Sequence, residues 1–208
     1  MLYDKDIREP LFEYLEESFG RVRILEEKNM GRSRADVVMI TEDAFVGIEI
    51  KSDADTYSRL DRQVRDYDTF FDYNIVAVGS THAHHIMEHV PEWWGIITID
   101  EVEHGADFYM LRKMQPAPKV DLKRQLTFMW RPELAHIQEL NDMPKYKEKS
   151  KLFVIDKIYD RIEPDILKAQ MCQELFERDY NSIAERINQY RIENGQKARR
   201  RRKKWKRK

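Results

Sequence analysis

The sequence predicts an α/β protein: a mixed sheet core in the order helix, three strands, helix, strand, helix, strand, followed by a helical C-terminal extension. Three observations carry this. Two β-branched runs, residues 35–40 and 45–51, lie four residues apart and read as an antiparallel hairpin. Two short, almost wholly apolar runs, NIVAVG (74–79) and GIITI (95–99), have the composition of strands buried on both faces. Stripes of apolar residues at helical spacing precede and separate them.

Taken in order, Ile7, Leu11, Tyr14, Leu15 and Phe19 trace one helical face over residues 6–19, and Gly20 is a natural stop. Residues 21–26 alternate Val22 and Ile24 with charged neighbours, predicting a strand, and a polar loop is expected over 28–33. The hairpin follows, with Thr41 to Ala44 as its connection. Ser52, Asp53, Asp55 and Thr56 supply a run of helix N-cap types ahead of the stripe Tyr57, Leu60, Val64, Tyr67 and Phe71. Residues 82–90 have helical spacing up to Pro91, and 108–112 read as one further strand. QPAPK (115–119) breaks the pattern, so the chain divides into a core at 1–114, a helical region at 115–196 and a basic tail at 197–208. In the helical region, 122–130, 134–140, 149–162 and 166–190 read as helical, with the breaks left open.

Of the 208 residues, 41% are hydrophobic and 36% charged, enough for a packed core under an ionic surface. No run approaches the roughly 20 apolar residues of a membrane span, and MLYDKDIREP lacks the features of a signal peptide. A cytoplasmic protein is the expectation. The single cysteine, Cys172, has no internal disulfide partner and reads as a small buried hydrophobe. The net charge of -1 hides an asymmetry. KARRRRKKWKRK (197–208) holds ten of the 37 Lys and Arg, leaving 27 against 38 acids, or -11, on residues 1–196. Trp205 among these charges makes the tail a mixture suited to gripping phosphates and stacking on bases.

If Ile40 pairs with Phe45 across the hairpin, Val38 meets Gly47 and Asp36 meets Glu49. Opposed carboxylates repel, so something must compensate. Lys51, two residues beyond Glu49, shares its face, while Val46, Ile48 and Ile50 point to the other. A hard divalent cation held by Asp36 and Glu49 would relieve the repulsion; Mg²⁺, with Mn²⁺ able to substitute, takes one or two carboxylates plus water and phosphate oxygens. Phosphodiester hydrolysis is the chemistry to which two acids and a lysine point.

Asp36, twelve residues, then Glu49-Ile50-Lys51 resembles the PD-(D/E)XK nuclease superfamily, with Ala35 in place of the proline of its name. Gln63-Val64-Arg65-Asp66-Tyr67 looks like the QxxxY motif of RecB-like members, and its four-residue spacing puts Gln63 and Tyr67 on one helical face. The strings GRSRAD, GIEIKSDADT and RLDRQVRDY are similar to small bacterial and phage members, over roughly residues 4 to 100. The resemblance implies a restriction-endonuclease-like core and a metal-dependent deoxyribonuclease acting on DNA. It implies that Asp36, Glu49 and the Ile50 carbonyl hold the metal, that Lys51 serves the attacking water, and that Gln63 and Tyr67 steady the site. Many members add an N-terminal acid; Glu9, Glu13, Glu16, Glu17 and Glu27 stay open. Many also dimerise, but no residue marks an interface here.

Other signals are weaker. His85 and His89 have the spacing of a helical metal pair, but without a third ligand pattern a solvated helix end is the better reading than zinc. Residues 134–162 loosely resemble a SAP-type DNA-binding module, against plain helical packing. Trp93, Trp94 and Trp130 read as core. Two other classes stay open: an inactive DNA-binding or assembly protein on the same fold, and an acidic adaptor with an RNA-binding tail.

Overall fold

A computed structural model describes residues 4–30, 32–52, 55–103, 105–178 and 192. The chain forms two compact units, residues 1–176 and 177–208. Very little of the second is described, and the basic tail at 197–208 lies outside the described residues.

The first unit runs α1 (Asp4–Phe19), β1 (Arg23–Met30), β2 (Ser33–Ile40), β3 (Phe45–Lys51), α2 (Leu60–Phe70), β4 (Tyr73–Gly79), α3 (Ala83–Ile86), β5 (Gly95–Val102) and β6 (Gly105–Arg112). Helices α4 (Leu122–Leu126), α5 (Arg131–Leu140), α6 (Lys151–Tyr159) and α7 (Pro164–Glu177) follow. The strands form one six-stranded sheet in sequence order. Its middle pairings, β3 with β4 and β4 with β5, are parallel; the other three are antiparallel. This is the expected mixed α/β architecture.

The central strands of the sheet are buried on both faces. Val46, Ile48 and Ile50 of β3 join Val37 and Met39 of β2 and Ile7, Leu11 and Leu15 of α1 in one core. Tyr14 of α1 stacks on Phe108 of β6 at 5.5 Å between ring centroids. On the other face Val38, Ile40 and Phe45 meet Leu60, Tyr67 and Phe70 of α2. Ile86, Val90 and Trp94 lie on this face too, so both parallel crossovers carry their helices to the same side. The alternation read from the sequence therefore divides β3 between two cores.

Several boundaries moved. Residues 28–33, expected as a polar loop, largely extend β1 and β2, whose ladder closes at Met30 opposite Ser33. Polar Lys28 and Asn29 are tolerated because β1 is an edge strand, with one face half exposed. The helix expected over 82–90 shrinks to Ala83–Ile86 and a series of turns. After 119, α4 and α6 fall short of the expected 122–130 and 149–162, ending before Thr127 and Asp160, while α5 begins at Arg131, ahead of the expected 134; of the helix expected over 166–190, residues 179–190 lie outside the described residues.

The break at 115–119 is one of secondary structure and not of packing. Leu126, Phe128, Leu134, Ile137, Val154, Ile158 and Leu167 belong to the same core as Phe45 and Tyr67. Lys168 of α7 reaches both Asp72 carboxylate oxygens at 2.7 Å and lies 4.7 Å from the Phe45 ring centre. Asp72 in turn accepts the Phe45 N–H at 2.7 Å. The C-terminal helices thus brace the start of β3, the strand that carries Glu49 and Lys51. Residues 134–162 pack as ordinary core helices, and Cys172 is fully buried.

Candidate active site

The hairpin has the expected register at its closed end: Ile40 pairs with Phe45 and Val38 with Gly47. The ladder stops at Val37 opposite Ile48, one pair short of Asp36 and Glu49. There the Asp36 side chain replaces the missing backbone bond, its Oδ2 accepting the Ile50 N–H at 3.0 Å. The two carboxylates still end on one face, at the C-terminal end of β3, because strand alternation survives past the last ladder pair.

Glu49 is the hub. It is 2% exposed and Lys51 5%. Lys51 Nζ donates to Glu49 Oε1 at 2.7 Å and to Gln63 Oε1 at 3.3 Å. Gln63 Nε2 donates to Glu49 Oε1. From beneath, the Tyr67 hydroxyl donates to Glu49 Oε2 at 2.7 Å, with the Ile48 carbonyl at 3.3 Å. Burying a carboxylate is costly unless hydrogen bonds replace its lost water, and here three side chains donate to it. Burial first, and then the Glu49 and Asp36 carboxylates, push the Tyr67 phenol well above its ordinary pKa, so it stays a donor.

Gly47 makes room for this arrangement. A Cβ there would lie 2.7 Å from the Tyr67 ring, and closer still to that of Phe71. The two rings, 5.2 Å apart, pack directly on the β3 backbone and set the depth of the Tyr67 hydroxyl.

Asp36, Glu49, Ile50, Lys51 and Gln63 line a single cavity of about 360 Å³. The Ile50 side chain belongs to the core on the opposite face, so Ile50 offers the cavity its main chain. All five of these expected residues are brought together, with Tyr67 directly under them. None of Glu9, Glu13, Glu16, Glu17 or Glu27 lines the cavity. The first four are exposed on α1, which covers the other sheet face. Glu27 stands at a positive φ of 48° on β1 and faces Arg34 at 3.5 Å and Arg8 at 4.0 Å. What α1 sends toward the acids is a cation: Arg8 Nη1 lies 3.3 Å from the Asp36 carbonyl.

Among the described residues no three His, Cys, Asp or Glu converge to hold an ion. Two carboxylates and a main-chain carbonyl are then the protein's offer here. Those are hard oxygen donors, and Mg²⁺ characteristically takes one or two carboxylates and completes its shell with water and substrate oxygens. The donor set fits that cation and not zinc. His85 and His89 are not a helical pair, because α3 ends at Ile86; both are exposed, and His89 packs against Tyr57 at 4.6 Å. Trp94 is fully buried, and Trp93 and Trp94 both donate to Asp68 Oδ1, at 3.0 and 2.8 Å.

The sequence reading missed the cavity's arginines. Arg32 and Arg34, from the β1–β2 turn and β2, and Arg59 and Arg62, from the entry and first turn of α2, line it beside the acids. The available signal was position: Arg32 and Arg34 flank Ser33, three residues before Asp36, and Arg59 and Arg62 sit a helical turn apart just before Gln63.

A family model described as bacteriophage P4 protein cII matches residues 2–198. The chain belongs to that family. The match takes in the sheet, the candidate site and the C-terminal helices alike. No curated protein matches the sequence. Among solved structures, that of Pyrococcus furiosus SfsA in complex with Ca²⁺ is similar at a TM-score of 0.34 and 12% identity. The likeness covers 53% of this chain and 63% of SfsA, too loose a correspondence to bear on the site. No helix among the described residues is long and apolar enough to cross a membrane.

Proposed function

We propose that this member of the P4 cII family is a divalent-metal-dependent DNA nuclease that hydrolyses phosphodiester bonds at Asp36, Glu49 and Lys51. The observation that carries the reading is the state of Glu49: a carboxylate 2% exposed at a cavity floor, held by Lys51, Gln63 and Tyr67 beside Asp36. An acid buried at a cavity with its charge partner and two further donors is the kind of site at which function is sought first.

In this reading Asp36, Glu49 and the Ile50 carbonyl hold Mg²⁺ or Mn²⁺. When bound, such an ion polarises a phosphoryl oxygen, acidifies a water and offsets charge on the leaving oxygen. The remaining work falls to the chain. Lys51 Nζ orients the attacking water or stabilises the charge that builds on phosphorus. Gln63 and Tyr67 hold Glu49 so that its carboxylate does not swing with Lys51. The water oxygen bonds to phosphorus, the bond to the leaving sugar oxygen breaks, and that oxygen leaves with a proton.

The test is incubation of linear, circular and single-stranded DNA with Mg²⁺ or Mn²⁺, beside Asp36→Ala and Lys51→Ala. Metal-dependent cleavage lost in both variants is the expected result; no cleavage of any substrate by the wild type would sink the proposal. One observation favours a second reading, a DNA-binding or assembly protein without turnover: the Lys51 ammonium, 2.7 Å from Glu49 Oε1, already neutralises that acid. DNA binding without cleavage would select it.

A further inference from the structure

We propose that the substrate of this site is a single DNA strand or strand end, admitted between the arginines of the β1–β2 turn and those at the start of α2. The inference rests on the nuclease reading for its chemistry but on separate residues for its evidence.

The first observation is electrostatic. The cavity lining carries Arg32, Arg34, Arg59, Arg62 and Lys51 against Asp36, Glu49 and Asp55, a balance of +2. The first 196 residues as a whole stand at -11. A positive mouth on an acidic body attracts a polyanion to that mouth and repels it elsewhere. All four arginines are exposed. Arg34 shares a 3.5 Å contact with Glu27, a surface pair of little energetic weight. Among the described residues Arg32, Arg59 and Arg62 have no carboxylate within ion-pair distance, leaving their guanidinium forks for phosphate.

The second is size. Glu49 and Lys51 are 2% and 5% exposed at the floor of about 360 Å³. That volume lies at the lower end of cavities that enclose one small molecule, on the order of 300 to 1,000 Å³. One nucleotide of a flexible strand can enter. A duplex, which presents two backbones and stacked pairs together, cannot bring a phosphate to the floor without opening.

The third is closure. Ser33, between Arg32 and Arg34, donates its hydroxyl to Asp66, one helical turn beyond Arg62. With Ser33 itself in the cavity lining, this hydrogen bond ties the two arginine-bearing elements together, so the walls resist spreading for a wider ligand.

The experiment uses the full chain without added metal and follows the anisotropy of a labelled single strand and of a blunt duplex of the same sequence across a salt series. Wild type is compared with Arg59→Ala/Arg62→Ala and with the charge-conserving Arg59→Lys/Arg62→Lys. Thermal melting checks the fold, which these exposed positions should leave intact. The alanine pair should weaken single-strand binding about tenfold and flatten its salt slope by about 1.4, at roughly 0.7 per lost phosphate contact. The lysine pair should recover most of the affinity. Duplex binding, which brings no phosphate down between these arginines, should change less than twofold. Equal loss on duplex, or no loss on either ligand, overturns the inference. Interior cleavage of duplex under Mg²⁺ with equal loss leaves the nuclease reading standing without this one. Arginine-dependent single-strand binding with no cleavage of any DNA does the reverse.

Discussion

The Tyr67 hydroxyl lies 2.7 Å from Glu49 Oε2 and joins the helix that covers the sheet to the acid near the C-terminal end of β3. The contact is fully buried and the phenol is 5.3 Å, ring to ring, from Trp94. Tyr67→Phe keeps the packing and removes one hydrogen bond to a charged group, which costs about 1.5 to 3 kcal/mol. Urea unfolding measures this, and a midpoint identical to wild type would show that the Glu49 carboxylate does not depend on Tyr67.

Glu49 and Lys51 should separate stability from turnover. Glu49→Ala leaves a buried ammonium without its carboxylate, a change that typically costs about 3 to 5 kcal/mol. Glu49→Ala/Lys51→Met removes both charges and should recover a good part of that loss. Cleavage should be absent in both variants. A double variant no more stable than the single one would contradict the buried pair.

Gly47→Ala introduces a methyl group where the rings of Tyr67 and Phe71 rest on the strand. Overpacking of this kind costs roughly 1 to 3 kcal/mol. Because Tyr67 must move, cleavage should fall by more than the loss of folded protein accounts for. Gly95→Ala is the comparison: its Cβ would meet Ile75 and Met114 no closer than 3.1 Å, away from the acids, so it should spare turnover.

Lys168→Met removes the cation that joins α7 to Asp72 and leaves Asp72 with the Phe45 N–H and Gln125 as donors. With both charges partly exposed, a loss of about 1 to 3 kcal/mol is expected. Hydrogen exchange at Phe45 should quicken. Unchanged protection there would mean that α7 does not brace β3.

Alkaline pH should unfold the protein through two buried groups. Burial, ahead of its charged neighbours, pushes the Cys172 thiol from 9.0 up to about 12, and Tyr67 is held well above 10.0. Above pH 9 the unfolded thiol loses its proton while the folded one keeps it. The unfolded state then binds fewer protons, and stability falls as pH rises. The contribution of Cys172 is intact below pH 9 and declines between 9 and about 12; that of Tyr67 begins to decline near 10. Cys172→Ala should flatten the stability profile between pH 9 and 10, where Tyr67→Phe should not. At pH 8 the native thiol should resist thiol reagents until denaturant is added.

The comparison of sequence with structure turns on what local periodicity encodes. Residues 45–51 were legible to the residue because alternation and β-branching agree there. Residues 28–33 were not, since pairing across the β1–β2 turn recruits polar residues that no propensity would place in a strand. The helix expected at 82–90 failed in the opposite sense, its spacing met by a single turn and a series of bends running to Pro91.

The sequence by itself determined the sheet's hairpin, the side of β3 on which Glu49 and Lys51 stand, and the one-turn spacing that stacks Gln63 over Tyr67. Those follow from periods of 2 and 3.6 residues, properties of the chain alone. Tertiary structure decided the rest. It stopped the ladder before Asp36 and turned that side chain onto Ile50. It sent α1 to the far face and its acids with it, and it folded four arginines from two distant segments around one cavity. Such contacts arise from how layers pack, and no short-range pattern in the sequence records which face a helix will cover.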